Sequence, residues 1–317
     1  MTSHEAVDHE SVYDGLLEHE APGDYSQWAF GTANGLQSED PLAGVDTTVP
    51  EGVDRHDLAV YCLMLADDAL VMSQRLSQWC SNAPDLEEDI ALANISLDLL
   101  GQARLLLARA AAADAGVVPP LPEGSPVPPE DALAFFRDDR EFRNVRLVEA
   151  DNGDFAQTMA RLLIFSTWRL ALFQRLAGSR DQVLAAVAAK GVKEMTYHRD
   201  YAGRWFLTLA RGTEESRRRL VQGLTITWPL YAELFTTHGV ERSVAAAGAG
   251  VDPARVSDEV DVLLDQVFSI SGVDRPAVGA LAGVQGRTGR DGLHTEAHSL
   301  LLAEMQVVAR SHPTGTW

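Results

Sequence analysis

Residues 70–107 read LVMSQRLSQWCSNAPDLEEDIALANISLDLLGQARLLL, and their pattern decides the fold. On both sides of Ala83-Pro84, apolar residues return at spacings of three and four, the mark of a helix that buries one face. Proline lacks a backbone donor and clashes with the turn before it. A first helix is therefore expected over 55–81, stopping before Pro84, and a second over 85–114. Asp85, Glu87 and Glu88 fall at the start of the second helix, where unpaired N–H groups favour negative charge. So short a connection folds the two helices into an antiparallel hairpin.

The pattern repeats further along the chain. VVPPLPEGSPVPPE, residues 117–130, cannot be helical and reads as a long crossover, with a short helix near 130–137. Asp151-Asn152-Gly153-Asp154 is a turn with an N-cap, and a third helix is expected over 154–177 (DFAQTMARLLIFSTWRLALFQRLA), ended by Gly178-Ser179. A fourth follows over 180–211, capped by Ser179 or Asp181. Two hairpins joined by one long crossover make the topology of a ferritin-like bundle. Further helices are expected at 213–240, with Arg217, Arg218 and Arg219 on a solvated face, at 252–270 after Asp252-Pro253, and at 294–310 after the loop GVQGRTGRDG. Strand signals are nearly absent and no repeat recurs at a fixed period, which excludes a solenoid. The expected fold class is all-α, a ferritin-like four-helix bundle with additional C-terminal helices, over residues 55–317.

Residues 1–54 hold 12 Asp and Glu and no Lys or Arg, so 12 of the 20 net negative charges lie there. This acidic N-terminal arm is expected to be flexible, with Trp28 and Phe30 able to pin it to the body or to a partner. The negative charge argues against nucleic acid and anionic membranes as partners. Cys62 and Cys80 fall within the expected first helix, roughly 27 Å apart, too far to pair. Two lone thiols, an acidic start and no 18-residue apolar run point to the cytoplasm and to no membrane span.

A ferritin-like bundle that holds two metal ions supplies a Glu from each of two helices and Glu-x-x-His from each of the other two, because i and i+3 share a helix face. The sequence contains no Glu-x-x-His. The nearest approximations are Glu194 with His198, and His294, Glu296 and His298. Helix two offers only Asp89, Asn94, Asp98 and Gln102 as companions, so His198 reads as an interior histidine donating to a carboxylate or carbonyl. His294 and His298 share a face and can ligate zinc, but a third ligand and a general base are missing; the segment reads as a helix start with a solvated polar edge. No nucleophile elbow, P-loop, dinucleotide fingerprint or CxxC occurs. Cys62 and Cys80 read as structural thiols, and Trp168, Tyr197, Tyr201, Trp205, Trp228 and Tyr231 as core.

Residues 70–107, together with FFRDDREFRNVRLVEADNGDFAQTMAR, ALFQRLAGSRD, KGVKEMTYHRDYAGRW and GLHTEAHSLLLAEMQ, resemble the PaaC family, the C subunits of the bacterial phenylacetyl-CoA epoxidase, from about residue 57 to the C-terminus. The resemblance implies a non-catalytic structural member of an NADPH-dependent monooxygenase complex for phenylacetate catabolism. Its catalytic, ferritin-like sister holds the di-iron centre and epoxidises the ring of phenylacetyl-CoA. Two copies of each are expected, along with small and reductase components.

Against the sister's motifs, Leu99 and Gln102 stand where Glu and His would ligate. Met195 replaces a second ligating Glu, and His198 remains. The other carboxylate positions fall at Ala69 and Ser166. With these ligands lost, no cofactor, metal or catalytic residue is expected in this chain, and the bundle centre is expected to fill with apolar contacts, since buried charges without a metal are costly. Two other classes stay open: an oxygenase in its own right using Glu194, His198 and Asp68 or Asp98, and an acyl-CoA-binding module using scattered arginines for the CoA phosphates.

Overall fold

The computed structural model describes residues 40–315. Four long helices form the bundle: α1 (Arg55–Ser77), α2 (Leu86–Ala113), then, after the crossover with short α3 (Pro129–Phe135) and α4 (Arg146–Glu149), α5 (Phe155–Leu176) and α6 (Gln182–Arg211). Each begins at an aspartate whose side chain accepts from the third residue on: Asp54 from Asp57, Asp85 from Glu88, Asp154 from Gln157 and Asp181 from Leu184. These caps satisfy donors that the first turn leaves open.

Side-chain contacts fix the directions. Ser73 Oγ donates to Ser96 O at 2.8 Å and Arg55 Nε to Ala113 O at 3.0 Å, so α2 returns along α1. Trp79, just past α1, meets the Phe155 ring edge-on at 5.9 Å at the start of α5. Phe155 in turn meets Trp205, near the end of α6, at 5.0 Å. From α2 to α6, Glu88 accepts from Trp205 Nε1 at 2.7 Å and Arg109 pairs with Asp181 at 2.6 Å. The result is up, down, crossover, down, up: an all-α, ferritin-like bundle, with no strand among the described residues.

Four more helices cover one side and end of the bundle: α7 (Glu214–Thr227), α8 (Gly239–Ala246), α9 (Ser257–Ser271) and α10 (Glu296–Ser311). Gly223 lets α7 lie directly on α5, since a Cβ there would fall 2.5 Å from Gln157 Cα. Val251, after α8, donates its N–H to Tyr61 Oη of α1 at 3.0 Å. Phe268 of α9 packs on Phe206 of α6 at 5.8 Å. Gln306 of α10 donates to Ala134 O and Arg137 O around α3.

Several expected boundaries shift. The first helix ends at Ser77 rather than 81, because Trp79 and Cys80 form i→i−3 bonds and Ser81 turns left-handed (φ 66) with its N–H on Asp89 Oδ2. Cys80 therefore lies exposed in a turn, while Cys62 is buried. The helix expected over 213–240 is interrupted: Pro229 has no donor, α7 stops at Thr227, two 3₁₀ turns follow (Trp228–Leu230 and Ala232–Phe235), and His238 caps α8. The expected 252–270 helix opens as a 3₁₀ turn at Pro253–Val256. The last helix starts at Glu296, leaving His294 outside it.

Of the arginine run, Arg218 and Arg219 are exposed. Arg217 instead donates to Ala210 O and Ser271 O at the ends of α6 and α9.

Residues 40–54 run over the helical body: Leu42 and Val53 are buried, Arg109 Nη1 donates to Thr47 O at 3.0 Å and Arg180 Nη2 to Glu51 O at 3.1 Å. Trp28 and Phe30 lie outside the described residues. Among the described residues one helix, α2, is long and apolar enough to cross a membrane by length and composition, a property the sequence reading did not credit. Gln102 and Arg109 of α2 find their partners on α5 and α6 and just before α6, as a bundle helix requires.

Candidate functional site

The six positions that the resemblance sets against the sister's metal ligands all lie inside the bundle. Ala69, Leu99, Ser166, Met195 and His198 are fully buried, and Gln102 nearly so. Ser166 Oγ is spent on its own helix, donating to Leu162 O at 2.6 Å. This is the usual fate of a serine inside a helix.

The centre is not simply apolar. Arg169 of α5, a residue that the sequence reading missed, buries its guanidinium here. Its Nε donates to Gln102 Oε1 at 2.9 Å, and Gln102 Nε2 donates to Glu194 Oε2 at 2.8 Å and lies 3.8 Å from Met195 Sδ. Glu194 also accepts from Lys190 Nζ at 3.0 Å. A chain Arg169–Gln102–Glu194–Lys190 thus crosses the bundle from α5 through α2 to the outer edge of α6. The Arg169 guanidinium lies over the Phe173 ring at 4.4 Å and near Phe165 at 5.7 Å, and its Nη1 and Nη2 have no hydrogen-bond partner. Burial depresses its pKa to about 10, countered chiefly by the charge of Asp68.

Gln102 stands where the family's histidine ligand is expected, and its amide links one cation to one carboxylate with donor and acceptor both used. Gly191 makes room for this: a Cβ there would lie 2.4 Å from Phe173 Cε2 and 3.5 Å from Gln102 Nε2.

The other carboxylates are committed elsewhere. Asp68 of α1 is gripped by the Arg290 fork at 3.0 and 2.9 Å and accepts from Val145 N at 2.9 Å. Burial pushes its carboxyl up, while Arg290 and Arg169 oppose the shift. Asp98 Oδ2 lies 3.0 Å from His198 Nε2 at the bundle's side, and His198 Nδ1 has no partner. Asp89 accepts from Ser81 N, and Asn94 is exposed.

Glu194, His198 and Asp68 or Asp98 therefore do not converge on one point. Two iron ions do not fit this centre. Asp68 and Glu194 already hold Arg290 and Lys190, Asp98 and Asp89 are taken by His198 and the Ser81 N–H, and a fixed guanidinium repels further positive charge. The expected apolar filling is present at Ala69, Leu99 and Met195, all in the buried hydrophobic core, and Arg169 adds to it a buried cation that the sequence reading did not include.

The aromatic set is mostly interior, as read, but Tyr197 is half-exposed on α6. Trp168 is fully buried, Trp228 stacks on Tyr231 at 4.5 Å, and Tyr201 and Trp205 both donate to Glu88.

The HTEAH segment departs most from its reading as a solvated edge. His298 is fully buried and His294 has a side chain 4% exposed, stacked on it at 4.1 Å, while Glu296 alone faces solvent. Glu149 of α4 supplies the third group that the sequence seemed to lack. Among the described residues, Glu149, His294 and His298 are the one set of His, Cys, Asp or Glu close enough to share an ion.

Against known proteins, the profile of the phenylacetic acid catabolic protein family matches residues 44–317. The chain is also 42% identical over 265 residues to the C subunit of the 1,2-phenylacetyl-CoA epoxidase of Escherichia coli (strain K12), a match covering 83% of this chain and 100% of the relative.

Proposed function

Because the chain belongs to the phenylacetic acid catabolic protein family, we propose that it is the non-catalytic structural subunit of a multicomponent phenylacetyl-CoA epoxidase. It works in the cytoplasm beside a ferritin-like catalytic subunit that holds the di-iron centre, two copies of each, with small and reductase components delivering electrons from NADPH.

The observation that carries this reading is the chain Arg169–Gln102–Glu194–Lys190. A buried charge must be paired or neutralised. Here Lys190 pairs with Glu194 and Arg290 with Asp68, while Arg169 adds its charge from nearby, so the carboxylates are neutralised by the protein's own cations and the bundle keeps its shape without iron. A second feature supports a partner: α2 presents Leu86, Ile90 and Leu97 outward at 71, 53 and 56% exposure, at helical spacings that form one stripe. Exposed apolar stripes mark protein contacts, and the catalytic subunit is the partner that the family provides.

Reconstitution tests the reading. Phenylacetyl-CoA-dependent NADPH oxidation is measured for the di-iron subunit, the reductase and the small components, with and without this chain. Turnover that depends on the chain, without iron in the chain, supports it. Full turnover and undiminished stability of the di-iron subunit in its absence would sink it.

A further inference from the structure

The proposed function leaves the Glu149–His294–His298 cluster unused, and its hydrogen bonds are incomplete in an informative way. His294 Nε2 lies 3.1 Å from Phe142 O, and its Nδ1 lies 3.0 Å from Glu149 Oε2. A carbonyl only accepts, so Nε2 carries the hydrogen. In a neutral ring Nδ1 then aims a lone pair at a carboxylate oxygen, which also has only lone pairs to offer. That contact needs a positive charge: either a second proton on the ring, which then donates to the carboxylate, or a metal ion that both groups ligate. A histidine whose far nitrogen donates to a backbone carbonyl is the usual arrangement of a metal ligand, since the outer bond fixes the tautomer and the ring.

The surroundings repeat the signal. Nine buried side-chain polar atoms lack a partner among the described residues, and four of them gather here: His298 Nδ1 and Nε2, Thr295 Oγ1 and Asn144 Oδ1. Buried polar atoms are normally satisfied, so a cluster of orphans calls for a missing partner. His298 is fully buried with neither ring nitrogen hydrogen-bonded, so a lone pair is available to a ligand whichever tautomer it holds. Glu149 is oriented from outside by Thr295 N at 2.9 Å and Asn144 Nδ2 at 3.3 Å. Arg75 clamps both ligand-bearing backbones, donating to Glu149 O at 2.7 Å and Ala297 O at 2.9 Å.

We propose that Glu149, His294 Nδ1 and one ring nitrogen of His298 form a mononuclear site for a divalent ion of the zinc class, separate from the degenerate bundle centre. The three ligand atoms lie within 4.8 Å of one another. Side-chain rotations bring them to the ~3.3 Å separation that bonds of about 2 Å to a tetrahedral ion produce. Two neutral imidazoles and one carboxylate suit zinc, with a water or Thr295 Oγ1 completing the shell. Arg75 and the Asp67-bound Arg137 add positive charge nearby, which weakens the attraction for a first ion and opposes a second. The ion staples the start of α10 to α4, and so holds the C-terminal helix on the bundle.

The test uses the full chain, stripped with a chelator and titrated with cobalt(II) alone. One saturable equivalent per chain, with the visible absorption of four-coordinate cobalt and displacement by zinc, is expected. His298→Gln and Glu149→Gln, each checked for folding by far-UV circular dichroism, weaken binding at least ~10-fold, while His56→Gln, at an exposed histidine, leaves it unchanged. No saturable binding to the folded wild-type chain overturns this site alone, whatever the variants do. Binding that survives His298→Gln but is lost in Glu194→Ala overturns both this site and the metal-free reading of the bundle centre.

Discussion

Arg169 Nε donates to Gln102 Oε1 at 2.9 Å across the middle of the bundle, and the contact is the one hydrogen bond that the buried guanidinium makes among the described residues. Gln102→Leu leaves Arg169 Nε and Glu194 without their shared partner. It is expected to destabilise the chain by about 2–3 kcal/mol, the cost of stranding buried polar groups. The double variant Gln102→Leu with Arg169→Met removes the stranded cation and is expected to recover most of that loss, since apolar replacements for buried charges are often neutral. Urea denaturation of the four species of this cycle gives the coupling. Strict additivity would mean that the two residues act independently.

Arg109 and Asp181 form a second buried pair, at 2.6 Å, and Asp181 also caps α6. Asp181→Ala is expected to cost about 3–5 kcal/mol from the uncompensated guanidinium and about 1 kcal/mol more from the lost cap. Asp154→Ala, at a cap without a buried partner, should cost only about 1 kcal/mol. Denaturant midpoints at equal slopes compare the two, and similar losses would contradict the pairing argument.

Gly223→Ala tests how closely α7 lies on α5. The new Cβ meets backbone at Gln157, 2.5 Å from Cα and 2.9 Å from N, and backbone cannot rotate aside. A loss of about 1–3 kcal/mol is expected, read as a lower melting temperature. An unchanged value would place the two helices further apart.

The apolar stripe on α2 predicts where the partner binds. Ile90→Asp with Leu97→Asp puts two charges on positions exposed in this chain, so the isolated chain should keep its stability while association with the catalytic subunit weakens at least ~10-fold, because charges are poorly tolerated in the desolvated centre of an interface. Co-purification and titration calorimetry measure it. Unchanged affinity would move the interface elsewhere.

Much of the bundle could be read from local signals. Asp85, Asp154 and Asp181 announced helix starts because capping is a property of a few neighbouring residues. The absence of Glu-x-x-His followed from residue types alone, whereas Leu99, Gln102 and Met195 were set against ligand positions only through the resemblance. Arg169 was not legible: within RLLIFSTWRLALFQRL it looks like one more charged residue on a helix, and its burial depends on Gln102, which is 67 positions earlier. His294 and His298 were misread for the same reason, since Glu149 and Phe142 reach them only through the crossover. Pro229 was visible, yet periodicity continued past it and masked the break between α7 and α8.

If a protein cation has taken the place of iron in this bundle, the isolated chain cannot assemble a diiron centre. Its Mössbauer spectrum and iron content, after anaerobic loading with ⁵⁷Fe(II) and exposure to oxygen, decide the matter. No coupled iron pair is expected. Two irons per chain showing a coupled diferric signal, abolished by Glu194→Ala, would contradict the replacement.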